Sequence, residues 1–283
     1  MSDKSIISQI FETEVPKELY HYTSSTGLMG IIESQKIWTT KIHYLNDGSE
    51  LQLGFQYIRE EIESQKGNDI RSENELDEMI DALDSIKTIN MSIASFTAEG
   101  DLLSQWRGYC KIGDGYSLCF DGEKLSEKAK SNFLCYLVPC KYEDTEHRLM
   151  VKELVSSAPV SGIPRNPNPN NPPLQKLGFS RAALLIAPMI KAKGFKEEKE
   201  WRLICGPFEY KRAQFRSGNF SLIPYWEFDL DLENTLKSIT IGPTPEQDLS
   251  VEAVQGFLMK NFSARYSNEI PKIKKSEIPW RSI

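Results

Sequence analysis

The sequence predicts an α+β fold, a single domain built on a mixed or largely antiparallel sheet with flanking helices. Short strand-like runs recur along the whole chain, whereas the helical patterns gather early and late, which fits α+β better than regular βαβ winding. No GxGxxG or GxxxxGK[ST] follows a strand-like run, so neither a dinucleotide-binding winding nor a P-loop is supported. With 283 residues, 40% hydrophobic and 26% charged, there is ample material for a core.

Residues 1–18 are expected to form a short helix and linker ending at Pro16, before a domain spanning 19–283. An apolar run, Leu19-Tyr20-His21-Tyr22-Thr23, places a histidine inside a strand. A Ser/Thr-rich entry into a short helix follows, then a strand at 37–40 and a polar knot, Asn46-Asp47-Gly48, with Glu50 beyond it. Leu51, Phe55, Ile58 and Ile62 recur at helical spacing over 48–65, and Leu76, Met79, Ile80, Leu83 and Ile86 do so over 73–89. Residues 91–97 alternate as a half-buried strand, and 98–115 is expected to be irregular. Further strands are expected at 116–120 and 133–138, and a helix at 145–156. The Pro- and Asn-rich stretch 159–173 excludes helix and sheet and is expected to be a mobile surface insertion. A helix kinked at Pro188 is expected over 175–191, strands at 201–205, within 219–231 and at 238–241, a helix at 247–261 and an edge strand within 272–280.

The N-terminus lacks the pattern of a signal peptide and no apolar run is long enough to span a membrane, so a cytoplasmic protein without membrane partners is expected. The five cysteines, Cys110, Cys119, Cys135, Cys140 and Cys205, contain no CxxC and are expected to be reduced; no metal site is expected. A net charge of −6 argues against loose binding of nucleic acid over the whole surface.

Three places can carry chemistry. His21 with Tyr22 and Thr23 sits where a strand meets a helix start, a corner suited to ribose hydroxyls or phosphate. Within 95–117, Trp106, Tyr109 and Tyr116 offer stacking faces for a flat ring and Arg107 an anion partner, while Ser95 and Thr97 share one side of their strand. In the strand at 201–205, Trp201, Leu203 and Cys205 form the core face, so Glu200 and Arg202 are expected to project outward, toward solvent or a cleft. Glu197 and Glu198 are expected to be ordinary surface charges. Lys191, Lys193, Lys196, Lys199, Arg202, Lys211, Arg212 and Arg216 form a basic stretch that either steers phosphates to the cleft mouth or is a solvated flank.

Together, HYT before a short helix, the LND-x-x-E run at Leu45 to Glu50, SFT with D-x-L-x-Q-W-R-G-Y at Asp101 to Tyr109, and E-x-E-W-R at Glu198 to Arg202 resemble the bacterial DUF2971 family. That family in turn resembles a divergent branch of the ADP-ribosyltransferase fold, near DarT-like and RNA 2′-phosphotransferase-like members. The resemblance implies split β-sheets around a cleft, with NAD as substrate and no metal. It implies His21 on an NAD ribose, Trp106 or Tyr109 stacked on nicotinamide, and Glu200 as the catalytic carboxylate, with Tyr22, Thr23, Ser95 and Arg202 around the ligand. The implied activity is transfer of ADP-ribose to a nucleic acid or protein acceptor, in phage defence or as a toxin. Two alternatives stand beside it: an NAD glycohydrolase, or an inactive module that binds a nucleotide or a partner.

Overall fold

A computed structural model describes residues 5–45, 48–68, 70–86, 89–110, 113–132, 134–160, 178–218, 221–262 and 270–279; for residues 48–50 it describes the backbone alone. The LND-x-x-E run, apart from Leu45, and most of the 159–173 stretch therefore lie outside the described residues or side chains.

The first third holds α1 (Ile6–Phe11), β1 (Glu18–Thr23), α2 (Ser25–Ser34), β2 (Lys36–Lys41), α3 (Gly48–Gln65), α4 (Glu73–Ser85) and β3 (Ser92–Thr97). The middle holds α5 (Leu103–Tyr109), β4 (Tyr116–Asp121), α6 (Gly122–Ser131), β5 (Cys135–Pro139), α7 (Asp144–Ser157) and α8 (Phe179–Ile186). The last third holds β6 (Glu200–Cys205), β7 (Gln214–Ser217), β8 (Leu222–Asp229), α9 (Leu232–Thr235), β9 (Leu236–Ile241), α10 (Gln247–Phe262) and β10 (Lys272–Lys275).

The strands form one mixed sheet that branches at β3. Along one edge β3 pairs with β6 over its full length, and β5 lies beyond β6. Its other edge is shared. Thr97 pairs with Tyr20 of β1 at one end, and Ile93 and Ser92 pair with Thr40 and Lys41 of β2 at the other. Between those points, Ala94 to Phe96 have a strand partner on the β6 side only. From β1 the sheet continues through β4 and β9 to β10, and from β2 through β8 to β7. Every pairing is antiparallel except β9 with β10. The gap beside β3 is where the site lies.

Hydrophobic burial fixes this frame from both faces. Ile93, Val138 and Ile204 pack beneath α1, α3, α4, α7 and α8. Leu19, Phe96, Leu118, Trp201 and Leu203 pack beneath α2, α6 and α10. Helix α1 belongs to the first core through Ile7 and Ile10, and Ile7 N–H donates to Glu153 Oε2 at 3.3 Å. The expected N-terminal linker thus begins with an integral helix.

Three local expectations change. Helix α5 forms where an irregular loop was expected, because Trp106 packs against Tyr22 and donates its Nε1–H to Asp101 Oδ1 at 2.7 Å. The helix expected to reach residue 191 ends at Ile186 and tightens into a 3₁₀ turn, Ala187–Met189, that contains Pro188. The chain then runs extended beside Lys141, whose N–H donates to Met189 O and whose carbonyl accepts from Lys191 N–H. Finally, Cys135 and Cys205 face each other in register on β5 and β6 and form a disulfide, so not all five cysteines are reduced. They lie 70 residues apart in sequence, and only the strand pairing brings them together.

Among the described residues, no helix is long and apolar enough to cross a membrane.

Candidate functional site

The gap beside β3 opens into a cavity of about 200 Å³. His21 lies in its wall for a backbone reason. Where β1 and β3 separate, the Ser95 carbonyl has no strand partner, and His21 Nδ1 closes on it at 2.9 Å. That bond makes Nδ1 the protonated nitrogen and leaves Nε2 as an acceptor. Burial pushes the imidazole below its ordinary value of 6.5, against the smaller raising effect of the Ser95 contact, so the ring is neutral at pH 7. In an antiparallel strand, N–H and C=O of one residue point to the same edge, which puts Ser95 N–H on the gap side as well.

Opposite stands the β6 strand. The side parity expected for it holds, with Trp201, Leu203 and Cys205 together in one core. The other side does not face solvent. The turn and extended segment at 187–191 cover it, and Glu200 and Arg202 are only 4% and 5% exposed. Arg202 grips Glu200 with Nε on Oε1 at 2.8 Å and Nη2 on Oε2 at 3.0 Å, and its Nη1 donates to Pro188 O at 2.6 Å. Lys191 Nζ bridges Glu200 Oε2 at 2.7 Å and Glu198 Oε2 at 2.6 Å. Two cations and two carboxylates thus balance inside the protein. Burial alone would raise the Glu200 carboxyl, but Arg202 and Lys191 outweigh it and hold the value at about 2. Glu200 is a permanent anion and no proton donor. Tyr142 fixes its backbone by accepting from Glu200 N–H at 2.8 Å.

The cavity joins His21, Tyr22, Ser95, Tyr109 and Glu200 from four separate segments. Thr97 lines it too, with its hydroxyl bonded to Glu198 O. Trp106 does not. It is buried and packs edge-on to Tyr22 at 4.6 Å; a Cβ on Gly242 would come within 2.9 Å of its ring. Tyr109, 44% exposed, is the aromatic of that pair at the cavity. Tyr22 offers little hydrogen-bonding capacity, since its hydroxyl donates to Glu99 O and accepts from Leu102 N–H, both at 2.9 Å. Thr23, Arg107, Tyr116 and Arg202 do not line the cavity. Arg202 instead positions Glu200.

The lining also contains residues beyond those expected in the cleft itself. Glu198, expected at the surface, is buried and lines the cavity beside Glu200. Trp38 on β2, Tyr44 and Arg216 on β7 form the outer wall, and Gln105 of α5 lies in the lining. The expected basic face is largely neutralised. Lys191 and Arg202 are consumed internally, Lys193 and Lys196 pair with Glu143, Lys199 with Glu99, and Lys211 with Glu209. Of that stretch, Arg216 alone is in the cavity lining.

Residues 105–203 match a family model described as a protein of unknown function, DUF2971. This match is confined to one stretch of the chain. It covers about a third of the chain, from α5 to β6, and supplies Tyr109, Lys191, Glu198, Glu200 and Arg202. His21, Trp38, Ser95 and Arg216 come from outside it, so the DUF2971 segment forms one wall of the cavity and the rest of the chain the others. No curated protein and no solved structure matches the chain.

Proposed function

We propose that the cavity is a nucleotide site at which NAD is split between nicotinamide and ribose, and that ADP-ribose passes to a nucleic acid or protein acceptor. The observation that carries this reading is convergence: His21, Ser95, Tyr109 and Glu200 line one opening in a split sheet, with an ionised carboxylate at its base. The split sheet is also the architecture that an ADP-ribosyltransferase-like fold would have. The cavity of about 200 Å³ suits a ring and its sugar rather than a whole dinucleotide.

In this reading Tyr109 stacks on nicotinamide and His21 Nε2 accepts from a ribose hydroxyl. Glu200 Oε1 has one donor, Arg202 Nε, and retains capacity for a ribose hydroxyl. As the ribose C1–N bond breaks, its electron pair leaves with nicotinamide and positive charge develops on the sugar, as in glycoside cleavage. The fixed anion is then closest to the growing charge. The acceptor's lone pair forms the new bond to C1, and its proton is released to water.

One observation favours a second reading, a nucleotide-binding module without turnover. Lys191 and Arg202 already cancel the charge of the two carboxylates, which weakens their pull on a cation. Nicotinamide release from NAD by the full-length protein, measured chromatographically, separates the two. Release by the wild type, lost by about 100-fold or more in His21→Ala and Tyr109→Ala proteins of unchanged circular dichroism, supports the enzyme. NAD binding without release under any acceptor supports the module. Absence of NAD binding removes the enzyme and leaves the module only if another nucleotide binds.

A further inference from the structure

The inner wall leaves unexplained why the outer wall carries an open indole and a guanidinium with unused donors. Trp38 is 45% exposed, yet it is not loose: its ring stacks on the buried Tyr225 at 4.4 Å and 29°. One face is fixed by Tyr225, so the indole is held as a flat platform at the cavity mouth. Arg216 lies beside it. Its Nη2 donates to Thr40 Oγ1 at 3.3 Å, and its Nε is buried with no hydrogen-bond partner among the described residues. Among the described residues Arg216 forms no ion pair with a carboxylate, unlike Arg202. A buried donor without a partner is unfavourable unless something beyond the described residues completes it.

Strand geometry sets the spacing. Trp38 and Thr40 lie on the same side of β2, two residues apart, and Arg216 reaches Thr40. The indole and the guanidinium are therefore separated by roughly 7 Å along the strand. That is the order of separation a sugar imposes between a base and its phosphate.

We propose that this outer wall binds one nucleotide unit, with its base flat on the Trp38 indole and its phosphate on Arg216. The inference rests on reading the cavity as a nucleotide site, but not on turnover there. A free dinucleotide offers such a unit in its second half, and a single-stranded nucleic acid offers one at every residue. The recognition chemistry is the same: stacking by an aromatic face and a charge-assisted bond from a guanidinium.

Calorimetric titration of the full-length protein tests this with adenosine 5′-monophosphate, adenosine, inorganic phosphate, NAD and a single-stranded decanucleotide. The monophosphate is expected to bind, with adenosine and phosphate each about tenfold weaker or worse. Trp38→Ala and Arg216→Gln are each expected to weaken the monophosphate about tenfold, as loss of one stacked base or one anion contact does. Trp38→Phe, which keeps a stacking face, is expected to stay within about threefold of wild type. If NAD loses affinity in Trp38→Ala and Arg216→Gln, the unit comes from the dinucleotide; if the decanucleotide does, it comes from a strand. No binding of monophosphate, NAD or decanucleotide, or binding that Trp38→Ala and Arg216→Gln both leave unchanged, overturns the proposal. Monophosphate binding that persists without nicotinamide release leaves this subsite standing while the enzymatic reading falls.

Discussion

Two arginines flank the same cavity and are treated in opposite ways. Arg202, behind the inner wall, spends its donors on Glu200 and on Pro188 O, and is buried with them. Among the described residues, Arg216 on the outer wall has one weak contact, to Thr40, and a buried Nε with no acceptor. The inner wall satisfies itself; the outer wall requires a ligand. A self-satisfied polar cluster holds its geometry whether or not substrate is present, as a reacting centre needs. An unsatisfied wall derives its specificity from the molecule that completes it.

The strongest way to break this contrast is to unbalance the inner wall. Lys191→Met removes one cation from a cluster of two and leaves Glu198 and Glu200 against Arg202 alone. An uncompensated buried charge costs on the order of 3–5 kcal/mol. Urea unfolding is expected to report a loss of that size; a loss below about 1 kcal/mol means that water, not Lys191, balances the carboxylates.

Part of this contrast was legible in the sequence. Period-two alternation put Glu200 and Arg202 on one side of β6, and the HYT and SFT patterns marked His21 and Ser95. What alternation does not disclose is whether the far side of a strand is covered. Here the cover comes from 187–191, where Pro188 ends the helix early and turns Lys191 inward beneath β6. Reading that segment as helix through 191 hid the lysine and made the Glu200 side look open. Trp38 left a faint signal: in the run Lys36-Ile37-Trp38-Thr39, it sits on the side opposite Ile37, where a large ring is exposed unless something binds it. Arg216 was marked only as one member of the basic stretch, because β7 is a four-residue edge strand with no hydrophobic alternation to place it. The Cys135–Cys205 pair was equally hidden, since register between β5 and β6 is a tertiary property.

A second, smaller test acts on the same cover from behind. Gly54 of α3 packs so closely that an added Cβ would lie 2.7 Å from Ala187 Cα. Gly54→Ala is therefore expected to displace the turn that leads into Pro188 and Lys191, with a loss of roughly 1–3 kcal/mol typical of overpacking. In an exposed helix position the same change would stabilise. A raised melting temperature in Gly54→Ala means that the turn yields freely and is not what holds Lys191 in place.

Titration reads two groups of the inner wall. The Glu200 carboxyl, at about 2, lies below its ordinary 4.5, so its contribution to stability is complete above pH 4.5 and is lost as pH falls toward 2. His21 lies below 6.5, so folding favours its neutral form, and stability from this group falls only as pH drops below 6.5. NAD binding is expected to be flat from pH 7 to 9 and to weaken on the acid side, with a midpoint under 6.5 that disappears in His21→Ala. An acid limb that survives His21→Ala assigns the titration to another group.

The smallest effect is the one that states the contrast most sharply. Replacing Arg202 with Met strands Glu200 and is expected to destabilise by about 3–5 kcal/mol. Replacing Arg216 with Met removes a charge that no described carboxylate needs and a buried Nε that no described acceptor meets. An apolar side chain of similar length keeps the packing of the stem, so stability is expected to stay within about 0.5 kcal/mol of wild type or to rise. Thermal melts of the two variants, run without ligand, compare them directly. If Arg216→Met falls as far as Arg202→Met, then Arg216 supports the fold, and the outer wall is as self-contained as the inner one. If Arg216→Met melts at or above the wild type yet no longer gains stability from adenosine 5′-monophosphate, the guanidinium is kept for a ligand at the expense of the fold, the trade expected of a binding residue.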